Sequence, residues 1–179
     1  GCILKGVCGK DYITSNAMDL LMYSVHGISI IATKIRESKL SYNLEKVNAF
    51  VRDALFCTIT NANFDDPTIK ARVTESLKVR EELIYFCNAN NIELPQLPQL
   101  TWKVEEKDYD NFATTVGILS ENNEDVRSLS QLTIYGLKGM AAYAEHAARL
   151  GYKDEDVDAF MQRAMHDLSL GTLSIEELI

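Results

Sequence analysis

Apolar residues recur every three or four positions along three long stretches in the first half of the chain. This spacing places them on one face of an α-helix and predicts helices over residues 16–39, 45–60 and 67–88. The third helix carries its own start signal, because Asp66 can serve as its N-cap and Pro67 suits the first helical turn. Three helices joined by short loops predict an antiparallel bundle. The first apolar stripe consists of Leu20, Leu21, Val25, Ile28, Ile31, Ala32 and Ile35.

The segment IELPQLPQLTW that follows contains two of the three prolines and is expected to be an extended connector. A short helix is predicted at 107–116, and helical periodicity then resumes over 124–150 and 154–168. A further helix starts in LSIEELI, where Ser174 and Glu177 form a capping box. Because this helix is capped but hardly continued, and the chain does not begin with Met, we expect the sequence to be cut at both ends.

Two blocks of the sequence occur twice in nearly the same register. LLMYSVHGI at 20–28 matches LTIYGLKGM at 132–140, and VNAFVRDAL at 47–55 matches VDAFMQRAM at 157–165. Two separated matches with almost the same offset indicate a duplicated three-helix unit.

We therefore predict an all-α fold of two duplicated three-helix bundles, the second incomplete at its C-terminus. Residues 1–91 would hold an N-terminal cysteine loop and the first bundle, 92–123 a connector with a short helix, and 124–179 the truncated second bundle. The two units should superpose with Tyr23 on Tyr135.

Gly27 and Gly139 occupy the same position in the two copies, within predicted helices. Glycine inside a helix costs about 1 kcal/mol relative to alanine. A close helix crossing would compensate for that cost, so we expect both glycines to be packing positions rather than parts of a catalytic site.

Composition excludes several classes of protein. The 179 residues carry a net charge of −8, which disfavours nucleic acid as a partner, because phosphate binding needs clustered Lys and Arg. No apolar run is long enough to cross a bilayer, and no signal peptide is visible. The four cysteines are too few for a disulfide scaffold. These features favour a reducing, cytoplasmic location.

The opening stretch GCILKGVCGK is the one place with a metal-like pattern. Five residues separate Cys2 from Cys8 in a glycine-rich loop. Spacing alone leaves three interpretations open: a disulfide, half of a metal site and two unrelated thiols. Two thiolates are half of what a structural zinc or an iron–sulfur cluster requires, and the missing pair could lie upstream. Cys57 and Cys87 lie in apolar helical segments, where a free cysteine usually serves as a small hydrophobe.

The three histidines are scattered along the chain. None lies in the Glu-x-x-His spacing that di-iron bundles use, so His26, His146 and His166 are not predicted to bind metal. His146, on a face of small residues beside Glu145, is expected to be a half-buried side chain at a packing seam.

Several longer motifs resemble the N-terminal part of the hybrid cluster protein family, also called prismane protein or hydroxylamine reductase. They are GCILKGVCGK, MDLLMYSVHGIS, TITNANFDD and, most specifically, YGLKGMAAYAEHA. The resemblance runs through nearly the whole chain. It implies that Cys2 and Cys8 are the third and fourth ligands of a [4Fe-4S] cluster, with a Cys-x2-Cys pair just upstream. The five-residue gap resembles the four-iron version of the family that is typical of strict anaerobes.

The resemblance also implies the activity of the longer parent protein. That protein would be an oxidoreductase that reduces hydroxylamine to ammonia, or related nitrogen oxides, with electrons from a donor protein. Its hybrid iron–sulfur–oxygen cluster would take Cys, His and Glu ligands from C-terminal α/β domains that this sequence does not contain. We therefore expect no catalytic residue here, and no turnover by this segment alone. The alternatives are a helical scaffold or protein-binding module without a redox role, and a small zinc-binding helical domain.

Overall fold

The computed structural model describes residues 2–59 and 63–178. In that part of the chain the regular structure is helical, no strand is present, and Lys5 and Asp11 form one isolated antiparallel bridge. The prediction of an all-α fold is confirmed. The helices are α1 Tyr12–Ser38, α2 Glu45–Cys57, α3 Asp66–Ala89, α4 Pro98–Thr101, α5 Tyr109–Val116, α6 Glu124–Arg149, α7 Glu155–Ser169 and α8 Ile175–Leu178, with 3-10 turns at Glu106–Asp108 and Ile118–Ser120.

Side-chain caps explain where α1, α6 and α7 begin. α1 starts four residues before the predicted position, because the Asp11 carboxylate accepts a hydrogen bond from the Thr14 N–H at 2.8 Å. α6 and α7 begin at similar caps formed by Asn123 and Asp154. The predicted N-cap of α3 is wrong by one residue, since Asp65 holds the cap position and Asp66 is the first helical residue. α2 ends at Cys57, and residue 60, its predicted end, lies outside the described residues.

The connector is less extended than predicted. Residues 98–101 form the short helix α4, whose backbone reaches α1. A Cβ placed on Gly27 of α1 would lie 2.5 Å from the carbonyl oxygen of Gln99, so only glycine allows this approach. Beside this contact, Tyr23 packs against Trp102 and Phe112, with ring centroids 6.2 Å from each. The connector therefore covers one face of α1.

α1 is the central element of the structure. It packs against α3 and α7 and also contacts α2, α4 and α5, while α2 packs against α6. The buried apolar side chains form one cluster that extends from α1 to Met161 and Met165 of α7. Within the described residues every helix is either too short or too polar to span a membrane.

Polar contacts join α6 and α7 to the first half of the chain. Arg52 donates from Nη1 to both carboxylate oxygens of Asp158, at 2.8 and 2.9 Å, and from Nε to Glu145 at 3.1 Å. The side chains of Arg52 and Asp158 are 5% and 6% exposed, so this pair is excluded from water. Arg36 donates to the Gln162 amide oxygen at 2.6 Å. These bonds fix the position of α7 on α1 and α2.

The two proposed copies differ in their surroundings. Gly27 is closely packed, as predicted, although its neighbour is the connector rather than a crossing helix. A Cβ placed on Gly139 would meet no atom of another part of the described chain within 4 Å, so the expected close packing is wrong there. Tyr23 packs in an aromatic group, whereas the Tyr135 side chain is 67% exposed. The superposition of two bundles, and the domain division at 91 and 123, remain predictions.

Candidate metal centre

The cysteine loop immediately precedes α1 and folds back on itself. The Gly6 N–H donates to the Lys10 carbonyl at 2.7 Å, and the Gly9 N–H donates to the Gly6 carbonyl at 2.9 Å. Gly9 has φ of 93°, a left-handed conformation that favours glycine. The Cys2 N–H donates to Ser15 Oγ at 2.9 Å, which ties the start of the loop to the first turn of α1. The loop therefore has a defined shape at the N-terminal end of α1.

The two sulfur atoms of the loop both lie close to Gly6. A Cβ placed on Gly6 would be 3.1 Å from Cys2 Sγ and 3.2 Å from Cys8 Sγ, so the sulfurs can be no further apart than the sum of these distances. Both cysteines are free thiols and both are partly exposed. A side chain at position 6 would fill the space that the two sulfurs share. The donor set, two convergent thiols beside a glycine, suits a soft metal centre such as iron–sulfur or zinc.

Lys10 lies next to this pair and was not singled out from the sequence. Its side chain is almost fully buried, at 6% exposure. The ammonium donates to Met18 Sδ at 3.0 Å and lies 5.1 Å from the centre of the Phe64 ring. Burial lowers the pKa of Lys10, and the sulfurs of Cys8, Cys57 and Cys2 act in the opposite direction. The only sequence signal was its position two residues after Cys8.

Cys57 also approaches the loop from the end of α2. Burial, together with the nearby Asp53 carboxylate, raises the pKa of the Cys57 thiol to about 11, so this thiol is neutral at ordinary pH. Lys138 of α6 donates to the Thr58 carbonyl at 3.2 Å, and burial lowers its pKa. The half-buried Cys57 fits the predicted structural role only in part, because it lies among charged groups.

The other candidate residues lie elsewhere or are engaged in other contacts. Cys87 is fully buried in the core, as predicted. His26 Nδ1 is 2.8 Å from the Met165 carbonyl oxygen, and burial lowers the pKa of its ring. His146 is exposed rather than half-buried, and its ring meets the edge of Phe56 at 5.5 Å. The described part of the chain contains no group of three or more His, Cys, Asp or Glu that could hold a metal ion by itself.

A cavity of about 480 Å³ connects the loop to the second half of the chain. Its lining includes Cys2, Cys8 and Lys10 from the loop, His26 of α1 and Lys138 of α6. The cysteine pair therefore borders a cavity that α1 and α6 also line.

These features define a class: a helical domain in which a glycine-rich N-terminal loop presents two free thiols beside a buried lysine. Comparison with known proteins gives the family. The chain belongs to the Prismane/CO dehydrogenase family, whose profile matches residues 1–178. The resemblance predicted from the motifs is thereby confirmed.

Similar proteins named hydroxylamine reductase come from several bacteria. The one from Porphyromonas gingivalis is 51% identical over 178 residues, which cover 99% of this chain and 32% of the relative. The one from Bacteroides thetaiotaomicron is 42% identical over 180 residues, covering 100% of this chain and 32% of the relative. The one from Clostridium novyi is 42% identical over 182 residues, covering 100% and 33%. The chain thus spans about a third of the length of these relatives.

Proposed function

We propose that this chain is the part through which electrons enter an oxidoreductase that resembles hydroxylamine reductase. In this proposal Cys2 and Cys8 are two of the four thiolate ligands of a [4Fe-4S] cluster, and an upstream Cys-x2-Cys pair provides the others. The observation that carries the proposal is the convergence of two free sulfurs on the space beside Gly6. The similarity of this entire chain to about a third of proteins named hydroxylamine reductase supports the reaction class.

The chemistry assigns a limited task to this part of the protein. Reducing hydroxylamine to ammonia and water consumes two electrons and two protons, so the enzyme needs a route by which electrons enter. The cluster would supply one-electron transfer. The residues of this chain would hold and orient that cluster. The hydrogen bonds of the loop fix the positions of Cys2 and Cys8, and the backbone of Gly6 and Gly9 shapes the space beside them. Substrate reduction would take place at a hybrid cluster bound by the C-terminal domains.

The rest of the polypeptide is the proposed partner of the second half of this chain. One face of α6 carries apolar side chains that are exposed here, including Leu132, Tyr135 and Tyr143 at 66%, 67% and 81%. Large apolar side chains at adjacent helical positions usually mark a contact surface. We propose that the remaining domains cover this face, that an electron-donor protein binds near the cysteine loop, and that the protein works in the cytoplasm, where thiols stay reduced.

Anaerobic reconstitution of the full-length gene product tests the ligand assignment. Iron and sulfide content, visible absorption and electron paramagnetic resonance would be compared in the parent, Cys2→Ala and Cys8→Ala. The Cys87→Ala variant is the matched control, because Cys87 is a core thiol away from the loop. We expect either loop substitution to abolish the cluster assigned to this loop and the control to retain it. If that cluster survives both loop substitutions, the assignment is wrong.

Two further results distinguish the alternatives. If the purified protein contains zinc rather than iron and sulfide, and if Cys2→Ala and Cys8→Ala lose that zinc, the small zinc-binding domain is favoured. The isolated 179-residue chain should show no hydroxylamine reduction with a chemical electron donor, because the proposed substrate-reducing site is not part of it. Robust metal-dependent turnover by this chain alone would contradict the proposed division of labour.

A further inference from the structure

The buried ammonium of Lys10 has surroundings that are unusual for a cation. Lysine is rarely fully buried unless it is paired with an anion. Within residues 2–59 and 63–178, the contacts of Lys10 Nζ are a thioether sulfur, Met18 Sδ at 3.0 Å, and the face of the Phe64 ring. Neither carries a negative charge. The positive charge of Lys10 is therefore only weakly compensated by these contacts.

The anion that this ammonium faces can be identified from the nearby sulfurs. Lys10 lines the same cavity as Cys2 and Cys8, and its carbonyl oxygen accepts a hydrogen bond from the Gly6 N–H at 2.7 Å. The sulfurs of Cys8, Cys57 and Cys2 also act on Lys10 electrostatically. Cys57 is a neutral thiol, because its own burial disfavours the thiolate. The remaining sulfurs are those of Cys2 and Cys8, which meet beside Gly6. Both become negatively charged when they hold a metal centre, since the thiolate is the metal ligand.

We propose that Lys10 is a positioning residue that places a positive charge beside the cluster-bearing sulfurs and raises the reduction potential of that cluster. This inference rests on the proposed function. Adding an electron makes the cluster and its thiolates more negative, and an adjacent positive charge favours that reduced state. The effect is large for a buried charge and small for an exposed one, because water screens the exposed charge.

The same loop provides the matched control. Lys5 lies between the two cysteines in sequence and is exposed, whereas Lys10 is buried. Lys5→Met and Lys10→Met each remove one positive charge from the loop, so a difference between them reports burial rather than net charge. Lys138 provides a graded comparison, since it lines the same cavity and its charge acts on Asp19, Cys57 and Lys10. Lys10→Arg keeps a positive charge at this position and changes the shape of the side chain.

The test is a potentiometric titration of the full-length protein under anaerobic conditions, with dithionite as reductant and the cluster followed by electron paramagnetic resonance. We expect Lys10→Met to lower the reduction potential of the cluster at Cys2 and Cys8. Lys138→Met should lower it less, Lys5→Met should leave it nearly unchanged, and Lys10→Arg should restore most of the parent value. A Lys10→Met protein with full cluster content and the parent potential would overturn the inference while leaving the proposed function intact.

Loss of the cluster in Lys10→Met is also an informative outcome. In that case Lys10→Gln and Lys10→Arg are compared for iron and sulfide content. If only Lys10→Arg retains the cluster, the result supports a requirement for positive charge beside the thiolates. If Lys10→Met, Lys10→Gln and Lys10→Arg all lose the cluster, the inference is overturned. Failure of the proposed function gives a separate result, since the cluster would then survive substitution of both Cys2 and Cys8.

Discussion

Alanine substitutions at Gly27 and Gly139 should change stability in opposite directions, although the sequence places the two glycines at equivalent positions. Both lie inside long helices, where replacing glycine by alanine gains about 1 kcal/mol of helix propensity. At Gly139 no other part of the described chain lies within 4 Å of the new methyl group. Gly139→Ala should therefore stabilise the chain by up to about 1 kcal/mol.

The same substitution at Gly27 meets the backbone of the connector. The new Cβ would lie 2.5 Å from the Gln99 carbonyl oxygen and 3.2 Å from its carbonyl carbon. A backbone carbonyl cannot rotate away as a flexible side chain can, so α4 must move from α1. Overpacking of this kind typically costs about 1–3 kcal/mol, which exceeds the gain in propensity. A contact of 2.5 Å with a fixed carbonyl oxygen should cost about 2–3 kcal/mol, the upper part of this range. After the gain in propensity is subtracted, we expect Gly27→Ala to destabilise the chain by about 1–2 kcal/mol.

Thermal and urea unfolding of the 179-residue chain, followed by circular dichroism, measures both effects. A change of about 1 kcal/mol shifts Tm by about 2–4 °C for a domain of this size. Gly27→Ala should lower Tm and Gly139→Ala should raise it or leave it unchanged. The reasoning fails if Gly27→Ala is as stable as the parent, or if both variants lose the same stability.

Three other predictions concern the site and the core. Gly6→Ala should reduce the iron and sulfide content of the reconstituted full-length protein, because its methyl group would meet both loop sulfurs; Gly136→Ala, with open space around its Cβ, should retain the parent content. Arg52→Met should lower the free energy of unfolding by about 3–5 kcal/mol in urea titrations, because it leaves the buried Asp158 without its partner; a loss under about 1 kcal/mol would contradict this. Cys57, with its pKa raised to about 11, should react with iodoacetamide far more slowly than free cysteine at about pH 8, and its rate should rise until pH approaches 11; mass spectrometry of alkylated peptides measures this, and an ordinary rate at about pH 8 would refute it.

Helical periodicity predicted most of the architecture, and its errors have identifiable causes. α2, α6 and α7 lie within a few residues of their predicted ranges, because their apolar stripes face the core. The start of α1 was missed although Asp11 and Thr14 form an ordinary cap that the sequence displays. α4 was missed because four residues around a proline give no periodic signal.

The candidate site was predicted only in part. The cysteine pair was recognisable because two thiols in a glycine-rich loop are a pattern in sequence, and the structure brings both sulfurs close to Gly6. Burial of Lys10 depends on Met18 and Phe64, which come from different segments, so no local pattern reveals it. The difference between Gly27 and Gly139 likewise depends on which segment lies opposite each helix.

The central position of α1 determines when its contacts with the other helices can form during protein synthesis. α1 leaves the ribosome before α7, and contacts between them join residues as far apart as His26 and Met165. At about 5–20 residues per second, that separation corresponds to a delay on the order of ten seconds. During this interval the α1 surface that α7 later covers is open to solvent or to chaperones, while the adjoining cysteine loop has already been translated. Newly made chains thus present their two loop thiols before the domain behind them has closed.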